Sequence, residues 1–206
     1  MEKKATQQVL ENAYSTLEMA KLGLIDLKSD HPKYRDLGLR NLAINGRSVT
    51  FIIQNLRNIE EDFDEWYDEI QHEMKSSELC VFFKDLRNEI EKQGKVKRAS
   101  NSVFIQHFST DILNRLPRPE NVKIISFFMG DELGGSGWEI ELPDGRKDKF
   151  YLDLPNSIIT VNRYFSNPPK NHLGLNLEGK TIEEVSEIYF DYLSEVVSKA
   201  YYKYGV

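Results

Sequence analysis

The period of the hydrophobic pattern changes near residue 98, and this change most constrains the fold. Before it, apolar residues such as Val9, Ala13 and Leu17 recur at the spacing of an amphipathic helix. After it, runs such as NVKIISFFMG and GWEIELPDGRKDKFYLDLP hold β-branched and aromatic residues in short stretches typical of strands. Helices followed by strands predict an α+β fold.

Four amphipathic segments precede the change of period. Gly46 lies inside the second segment and indicates close helix packing or a local bend, because glycine is costly in a helix interior. Gly94 follows the fourth segment and is a favourable helix stop. Short breaks between helices favour antiparallel neighbours, so we predict a four-helix bundle. The segments span approximately residues 7–28, 32–59, 60–77 and 78–93.

The rest of the chain predicts a small antiparallel sheet and a closing helix. The sequence Pro143-Asp144-Gly145 is a strong turn signal between two strands. The last helix begins near Thr181, and its apolar face must pack on another element, so we expect it to dock on the bundle. We predict a single domain with a helical bundle at 1–98, a β-rich insertion at 99–178 and the closing helix at 179–206.

Composition excludes several classes of protein. The chain has 27 Lys and Arg against 33 Asp and Glu, a net charge of −6, which argues against a surface devoted to nucleic acid. Cys80 is the only cysteine, so an internal disulfide or a thiolate metal cluster is excluded. The N-terminal sequence lacks the apolar core of a signal peptide, and no apolar run approaches the length of a membrane span. We expect a cytoplasmic protein without a cofactor or bound metal.

The stretch FFKDLRNEIEKQGKVKR, from Phe82 to Arg98, holds the most informative polar residues. Arg87 borders the apolar stripe, and Glu91 one turn later can neutralise it in an ordinary ion pair. Alternatively, Arg87 and Arg47 of the second helix form an anion clamp, since arginine suits bidentate phosphate recognition. Two interpretations fit the cations that come after Arg87 in the sequence. Positive charge is favourable at a helix C-terminus, and it is also favourable for contact with phosphates. These cations are Lys92, Lys95, Lys97 and Arg98.

The order NGRSVTFIIQNL, FDEWYDEIQHEM and FFKDLRNEIEKQG resembles that of uncharacterised bacterial proteins related to HEPN domains. The likeness extends to NPPKNHLG and to the tyrosine-rich last helix, and it therefore covers most of the chain. This resemblance implies an HEPN-like four-helix bundle that forms a homodimer. It also implies binding of RNA or of a nucleotide phosphate, in defence or toxin–antitoxin biology.

HEPN nucleases carry an arginine, usually a polar residue after it, and a histidine a little over one turn later. Arg87 and Asn88 match this pattern, but Lys92 stands where the histidine is expected. A lysine, with an ordinary pKa of about 10.4, binds phosphate but transfers protons poorly at neutral pH. The resemblance therefore implies phosphate binding by Arg87, Asn88 and Lys92, with Arg47 in support, and disfavours RNA cleavage.

Two alternatives remain open at this point. In the first, the chain is a non-enzymatic protein-interaction module in which Arg87 is purely structural. In the second, it is a metal-independent ribonuclease whose base comes from elsewhere in the chain, and the candidates are His72, His107 and His172.

Overall fold

The computed structural model describes residues 2–94 and 99–205, and it separates helices from strands as the sequence predicts. Helices occupy the first part of the chain, strands lie between Ala99 and Asn176, and a long helix follows. The predicted α+β class is therefore confirmed. The helices are α1 (Glu2–Leu27), α2 (Pro32–Ile53), α3 (Phe63–Ser76), α4 (Glu78–Gln93), α5 (Thr110–Arg115) and α6 (Ile182–Tyr204), with a 3₁₀ turn at Gln54–Asn58.

Helices α1 and α2 form a hairpin whose close contact depends on two glycines. A Cβ atom added to Gly23 would lie 2.6 Å from the backbone nitrogen of Leu42 and 2.8 Å from the carbonyl oxygen of Gly38. Any side chain at position 23 would therefore push the two backbones apart. Helix α1 begins at Glu2, several residues earlier than the apolar pattern predicts.

Helix α4 has a defined signal at each end. Its first turn is capped by Ser77, whose Oγ accepts a hydrogen bond of 3.1 Å from the backbone N–H of Cys80. It ends at Gly94, which adopts a left-handed conformation with φ 65°. The prediction that Gly94 stops this helix is thus confirmed.

The prediction that the C-terminal helix docks on the helical bundle is confirmed. Thr181 and Glu184 form a reciprocal capping box at the start of α6. The inner face of α6 is buried in one apolar core with residues from α1, α2, α3 and α4. Phe165 joins this core from the β region, with its ring centroid 4.6 Å from that of Phe82.

The strands form three separate ladders among the described residues, where the sequence predicts one small sheet. The predicted hairpin is present: β3 and β4 pair antiparallel, and Gly145 occupies the turn between them with φ 84°. Strand β1 instead pairs antiparallel with β5, far along the chain. The ladders are β1 (Ala99–Ile105) with β5 (Ile159–Phe165); β2 (Lys123–Phe128), β3 (Ser136–Glu141) and β4 (Lys147–Leu152); and β6 (Asn171–His172) with β7 (Leu175–Asn176).

Candidate functional site

A cavity of about 300 Å³ opens between α2, α3, α4 and α6. Its wall combines cationic, amide, phenolic and apolar side chains, a mixture typical of small-molecule sites. Each helix contributes at least two lining residues, so the site exists only once the bundle has assembled. Its lining residues are Arg47, Thr50, Gln54, Tyr67, Gln71, Met74, Lys75, Cys80, Val81, Lys84, Tyr189, Tyr192 and Leu193.

Three cations line this cavity, one from each of three helices: Arg47, Lys75 and Lys84. No aspartate or glutamate is among its lining residues, all of which the structure describes. Lys75 donates to the amide oxygen of Gln71 at 3.3 Å, and Lys84 lies 3.6 Å from the carboxylate of its chain neighbour Asp85. On a protein with a net charge of −6, this arrangement makes a local cationic site.

The guanidinium of Arg47 is held in place by its own helix. Its Nη1 donates to Thr50 Oγ1 at 2.8 Å, and its Cζ lies 4.2 Å from the centroid of the Phe51 ring. Neither contact neutralises the charge, because the first partner is a hydroxyl and the second an aromatic face. Arg47 therefore keeps its charge available to an anion in the cavity.

One side of the cavity is formed by Tyr189, which is 3% exposed. Its hydroxyl has no hydrogen-bond partner among the described residues. Burial raises the pKa of this phenol well above its usual value, so the hydroxyl stays protonated and can donate to a ligand. Gly46 allows this placement, since an added Cβ would lie 2.8 Å from Tyr189 Cε1. The prediction of close helix packing at Gly46 is confirmed.

Another part of the wall is a hydrogen-bonded group formed by two side chains and a backbone carbonyl. Gln54 Nε2 donates to the Thr50 carbonyl at 3.0 Å and to the Tyr67 hydroxyl at 3.3 Å. The Tyr67 hydroxyl in turn donates to the same carbonyl at 3.3 Å. These bonds fix the orientation of the Gln54 amide and leave its oxygen without a partner among the described residues. A hydrogen-bond acceptor and the Tyr189 donor thus both belong to this cavity.

Tyr192 connects the cavity to a buried histidine. Its hydroxyl donates to Glu73 at 3.4 Å, and its ring meets the His172 ring edge-on with centroids 5.0 Å apart. His172 Nδ1 lies 2.7 Å from the Oγ of Ser77, the cap of α4. Burial lowers the pKa of His172. Since its ring is buried and bonded to a helix cap, His172 acts here as a structural hydrogen-bonding group.

The other two candidate histidines do not line the cavity either. His72 belongs to the second half of α3, and His107 is exposed just beyond β1. Neither of them, nor His172, is among the residues that line the cavity.

Arg87 lies on α4 with its charge paired. Its Nη1 lies 2.7 Å from Glu91 Oε2 and donates to Asn88 Oδ1 at 3.2 Å. Its Nε is buried and lacks a hydrogen-bond partner among the described residues. Arg87, Asn88 and Lys92, all described, do not line the cavity that contains Arg47. The cavity therefore includes Arg47 but not the other three predicted residues, while Lys95, Lys97 and Arg98 lie outside the described residues.

The sequence indicates Arg47 but not the residues around it. Lys75, Lys84 and Tyr189 reach the same cavity from three helices, and no local spacing marks that convergence. The usable signal is the tyrosine itself, because a phenol on the apolar stripe of a buried helix needs a partner for its hydroxyl.

Cys80 behaves as the buried residue that the sequence predicts. It is 9% exposed, and burial raises the pKa of its thiol to about 11, so the reactive thiolate is scarce at neutral pH. Among the described residues, no group of three His, Cys, Asp or Glu is arranged to hold a metal ion. None of the described helices combines the length and apolar character that a membrane span requires.

Residues 31–108 match the family model described as Bacteriophage lambda protein ea47. The match covers less than half of the chain and includes α2, α3 and α4, so it takes in Arg47, Lys75 and Lys84. No curated protein and no solved structure matches the chain.

Proposed function

We propose that the cavity binds a small phosphate-bearing ligand of the nucleotide type, within an HEPN-like bundle. The observation that carries this proposal is the charge of the site: Arg47, Lys75 and Lys84 line it without any carboxylate among its described lining residues. An anion entering the cavity meets the charges of Arg47 and Lys75, neither of which is paired with a carboxylate among the described residues. In a partly desolvated site this attraction is stronger than in open water.

The size of the cavity favours a single nucleotide over a nucleic-acid strand. At about 300 Å³ it lies at the lower end of the range for ligand pockets, roughly 300–1,000 Å³. The cations bind the phosphate, with Arg47 able to make paired hydrogen bonds. The Gln54 oxygen and the Tyr189 hydroxyl offer an acceptor and a donor to the uncharged part of the ligand.

Calorimetric titration with the four ribonucleoside monophosphates and inorganic phosphate tests this proposal. Arg47→Ala removes the cation that is best placed, and we expect affinity to fall about ten-fold or more. Arg40→Ala is the matched control, because Arg40 lies on the same helix, pairs with Asp36 at 3.0 Å and does not line the cavity. Far-UV circular dichroism establishes that both variants fold.

Two results would overturn the proposal. One is the absence of heat with all five compounds at millimolar concentration. The other is equal affinity in the Arg47→Ala and Arg40→Ala proteins, which would place the anion elsewhere.

A second candidate function is RNA-phosphate binding at Arg87, Asn88 and Lys92, and the exposure of Arg87 favours it, since its side chain stays 26% exposed beside its ion pair with Glu91. A guanidinium that reaches the surface can still donate to a phosphate oxygen. We expect Arg87→Ala to weaken binding of a single-stranded oligoribonucleotide and to flatten its salt dependence. If the Arg87→Ala variant unfolds instead, Arg87 is a structural residue, as the protein-interaction alternative predicts.

The ribonuclease alternative has its own test. Metal-independent cleavage of RNA, abolished by His172→Ala, His72→Ala or His107→Ala alone, would establish an enzyme. We propose that the protein works in the bacterial cytoplasm as a binding protein, because Lys92 occupies the histidine position of HEPN nucleases.

A further inference from the structure

A second cavity, of about 250 Å³, lies where the turn between α1 and α2 meets the β region. Asp30 and Arg35 belong to its helical side, and Gly134 and Gly135 belong to the loop that joins β2 to β3. Much of the remaining wall comes from the segment after β4 and from β5. This cavity shares no lining residue with the cavity around Arg47, so it is a separate site.

Two glycines bring the loop between β2 and β3 against the start of α2. A Cβ atom added to Gly135 would clash with the ring of Pro32. A Cβ atom added to Gly134 would lie 2.8 Å from Arg163 Cδ and 3.5 Å from Arg35 Nη1. The side chains of both arginines therefore meet at Gly134, and this part of the cavity is its arginine side.

Arg35 stabilises the turn between α1 and α2 and keeps its charge. Its Nε donates to the Ser29 carbonyl at 2.6 Å, its Nη2 to the Asp30 carbonyl at 3.2 Å and its Nη1 to the Gly134 carbonyl at 3.4 Å. These carbonyls use three of the five N–H groups of the guanidinium and neutralise none of its charge. Arg35 forms no salt bridge with a described residue, so an anion in the cavity can accept from the two N–H groups that are left.

Arg163 is buried behind Gly134 without a hydrogen bond to its guanidinium. The residue is 3% exposed, and its Nε and Nη1 have no hydrogen-bond partner among the described residues. Its ion pair with Glu183 is long, at 4.0 Å. Burial lowers the pKa of Arg163, which shows that its charge is poorly solvated. A buried charge with unpaired donors costs stability, so folding alone does not explain an arginine at this position.

The charges around the two arginines leave an excess of positive charge. Three carboxylates act on Arg163, and two of them are paired with other cations. Asp36 pairs with Arg40 at 3.0 Å, and Asp131 pairs with Lys149 at 2.7 Å. The third carboxylate, Glu183, offsets one of the two guanidinium charges. The arginine side of the cavity therefore suits a carboxylate, with one negative charge, better than a phosphate group with about two.

The wall of this cavity also carries carboxylates. Asp30 and Asp153 line it, both residues are exposed, and neither side chain forms a hydrogen bond or ion pair with a described residue. Asp30 lies beside Arg35, which donates to its carbonyl, whereas Asp153 comes from the segment after β4. Amide and hydroxyl groups of Asn162 and Thr160 complete a polar lining. A ligand that carries only one sign of charge would be repelled by part of this wall.

We propose that this cavity binds a free polar α-amino acid as a zwitterion, with its carboxylate at Arg35 and its ammonium group at Asp153. The two charges of the ligand then meet the two charges of the wall, and the carboxylate also offsets the buried charge of Arg163 without touching it. The cavity, at about 250 Å³, lies below the range of roughly 300–1,000 Å³ for drug-sized ligands, and it therefore fits a small molecule. Its polar lining favours an amino acid with a polar side chain.

Calorimetric titration of the full chain tests the charges of the ligand. The compounds are serine, asparagine and glutamine, each compared with its N-acetyl derivative and its C-terminal amide. We expect at least one amino acid to bind, and each derivative to bind about ten-fold more weakly or worse, because each lacks one charged group. No heat from any amino acid at millimolar concentration would overturn the proposal. Equal affinity for an amino acid and both of its derivatives would do the same.

Two aspartate variants test where the ammonium group binds. Asp153→Asn removes the charge of a side chain that has no described partner, and we expect it to weaken amino-acid binding about ten-fold. The matched control is Asp148→Asn, because Asp148 is exposed on β4 and does not line the cavity. It should bind like the natural protein. Equal affinities in the two variants would refute the site.

Arg163→Met separates a role in binding from a role in folding. This change removes a buried, unpaired charge, so the temperature of thermal unfolding should stay the same or rise. Amino-acid binding should weaken about five-fold or more, because the ligand loses an attractive charge. A less stable variant with unchanged affinity would make Arg163 structural and contradict the proposal.

Arg47→Ala keeps this inference separate from the nucleotide proposal. Arg47 lines only the first of these two cavities, so its variant should bind the amino acid like the natural protein. Asp153→Asn should in turn leave nucleotide binding unchanged. Weaker amino-acid binding in Arg47→Ala would place the amino acid in the other cavity and overturn the inference.

Discussion

The ring of Tyr189 lies flat on the ring of Phe83, with centroids 4.0 Å apart and planes within 2°. Phe83 is fully buried, and Tyr189 adds a hydroxyl that lacks a partner among the described residues. The stacked rings therefore stabilise the bundle, and Tyr189 also lines the cavity.

Substitutions at these two positions should separate stability from binding. Phe83→Ala should destabilise the protein by about 3–5 kcal/mol, the usual cost of removing a buried aromatic ring. Tyr189→Phe keeps the stack and should change the free energy of unfolding by less than about 1 kcal/mol, but it should weaken nucleotide binding. Urea unfolding and calorimetry measure the two effects. A large loss of stability in Tyr189→Phe would show that its hydroxyl has a structural role.

Two glycines at helix contacts should differ in their tolerance of alanine. At Gly46 the new Cβ would lie 2.8 Å from Cε1 of the stacked Tyr189 ring and 2.9 Å from Leu193 Cδ1, both side-chain atoms, whereas at Gly23 it would lie 2.6 Å from the backbone nitrogen of Leu42. Overpacking costs about 1–3 kcal/mol, and the higher helix propensity of alanine offsets about 1 kcal/mol of that cost. We therefore expect Gly46→Ala to be destabilising and Gly23→Ala to be worse, because side chains can shift more readily than backbone. Thermal unfolding of both proteins would show the order, and the reverse order would contradict the contacts.

The long helices could be predicted from sequence because their pattern is local. The stop at Gly94, the docking of the last helix and the turn at Gly145 each follow from a few neighbouring residues. The pairing of β1 with β5 could not, because it joins segments separated by dozens of residues. Local alternation identifies a strand but not its partner.

The same contrast between local patterns and contacts of distant segments explains why the sequence predicted only part of the candidate site. The sequence indicates an anion clamp of Arg47 with Arg87, but of these two only Arg47 lines the cavity. Lys84 and Arg87 are less than one helical turn apart along α4. The rotation of α4 about its own axis therefore decides which of the two side chains lines the cavity. Sequence spacing cannot fix which side of α4 faces α2 and α6.

The capping box of α6 should contribute measurably to stability. Thr181 Oγ1 accepts a hydrogen bond from the Glu184 N–H at 3.3 Å, and Glu184 accepts one from the Thr181 N–H at 2.8 Å. Thr181→Ala should lower the free energy of unfolding by about 1 kcal/mol, and Thr181→Ser should change it little. Chemical denaturation of the two variants gives the comparison. Equal losses in both would point to the methyl group instead of the cap.

The stability of the protein should depend on pH through His172. Burial lowers the pKa of this imidazole below its ordinary value of 6.5, although Glu73 and Glu195 partly oppose the shift. As the pH falls through 6.5, the unfolded chain therefore takes up a proton while the folded protein does not. Stability should fall over this window, with a slope of at most about 1.4 kcal/mol per pH unit, and it should be fully present above it.

Unfolding by urea at about pH 5 and about pH 7 measures this dependence. His172→Gln should be less stable at neutral pH, since its packing against Tyr192 and its bond to Ser77 change, but it should lose less stability on acidification. His107→Gln is the control, because His107 is exposed, and it should keep the full dependence. If His172→Gln and the natural protein lose the same stability between the two pH values, another group is responsible for the acid sensitivity.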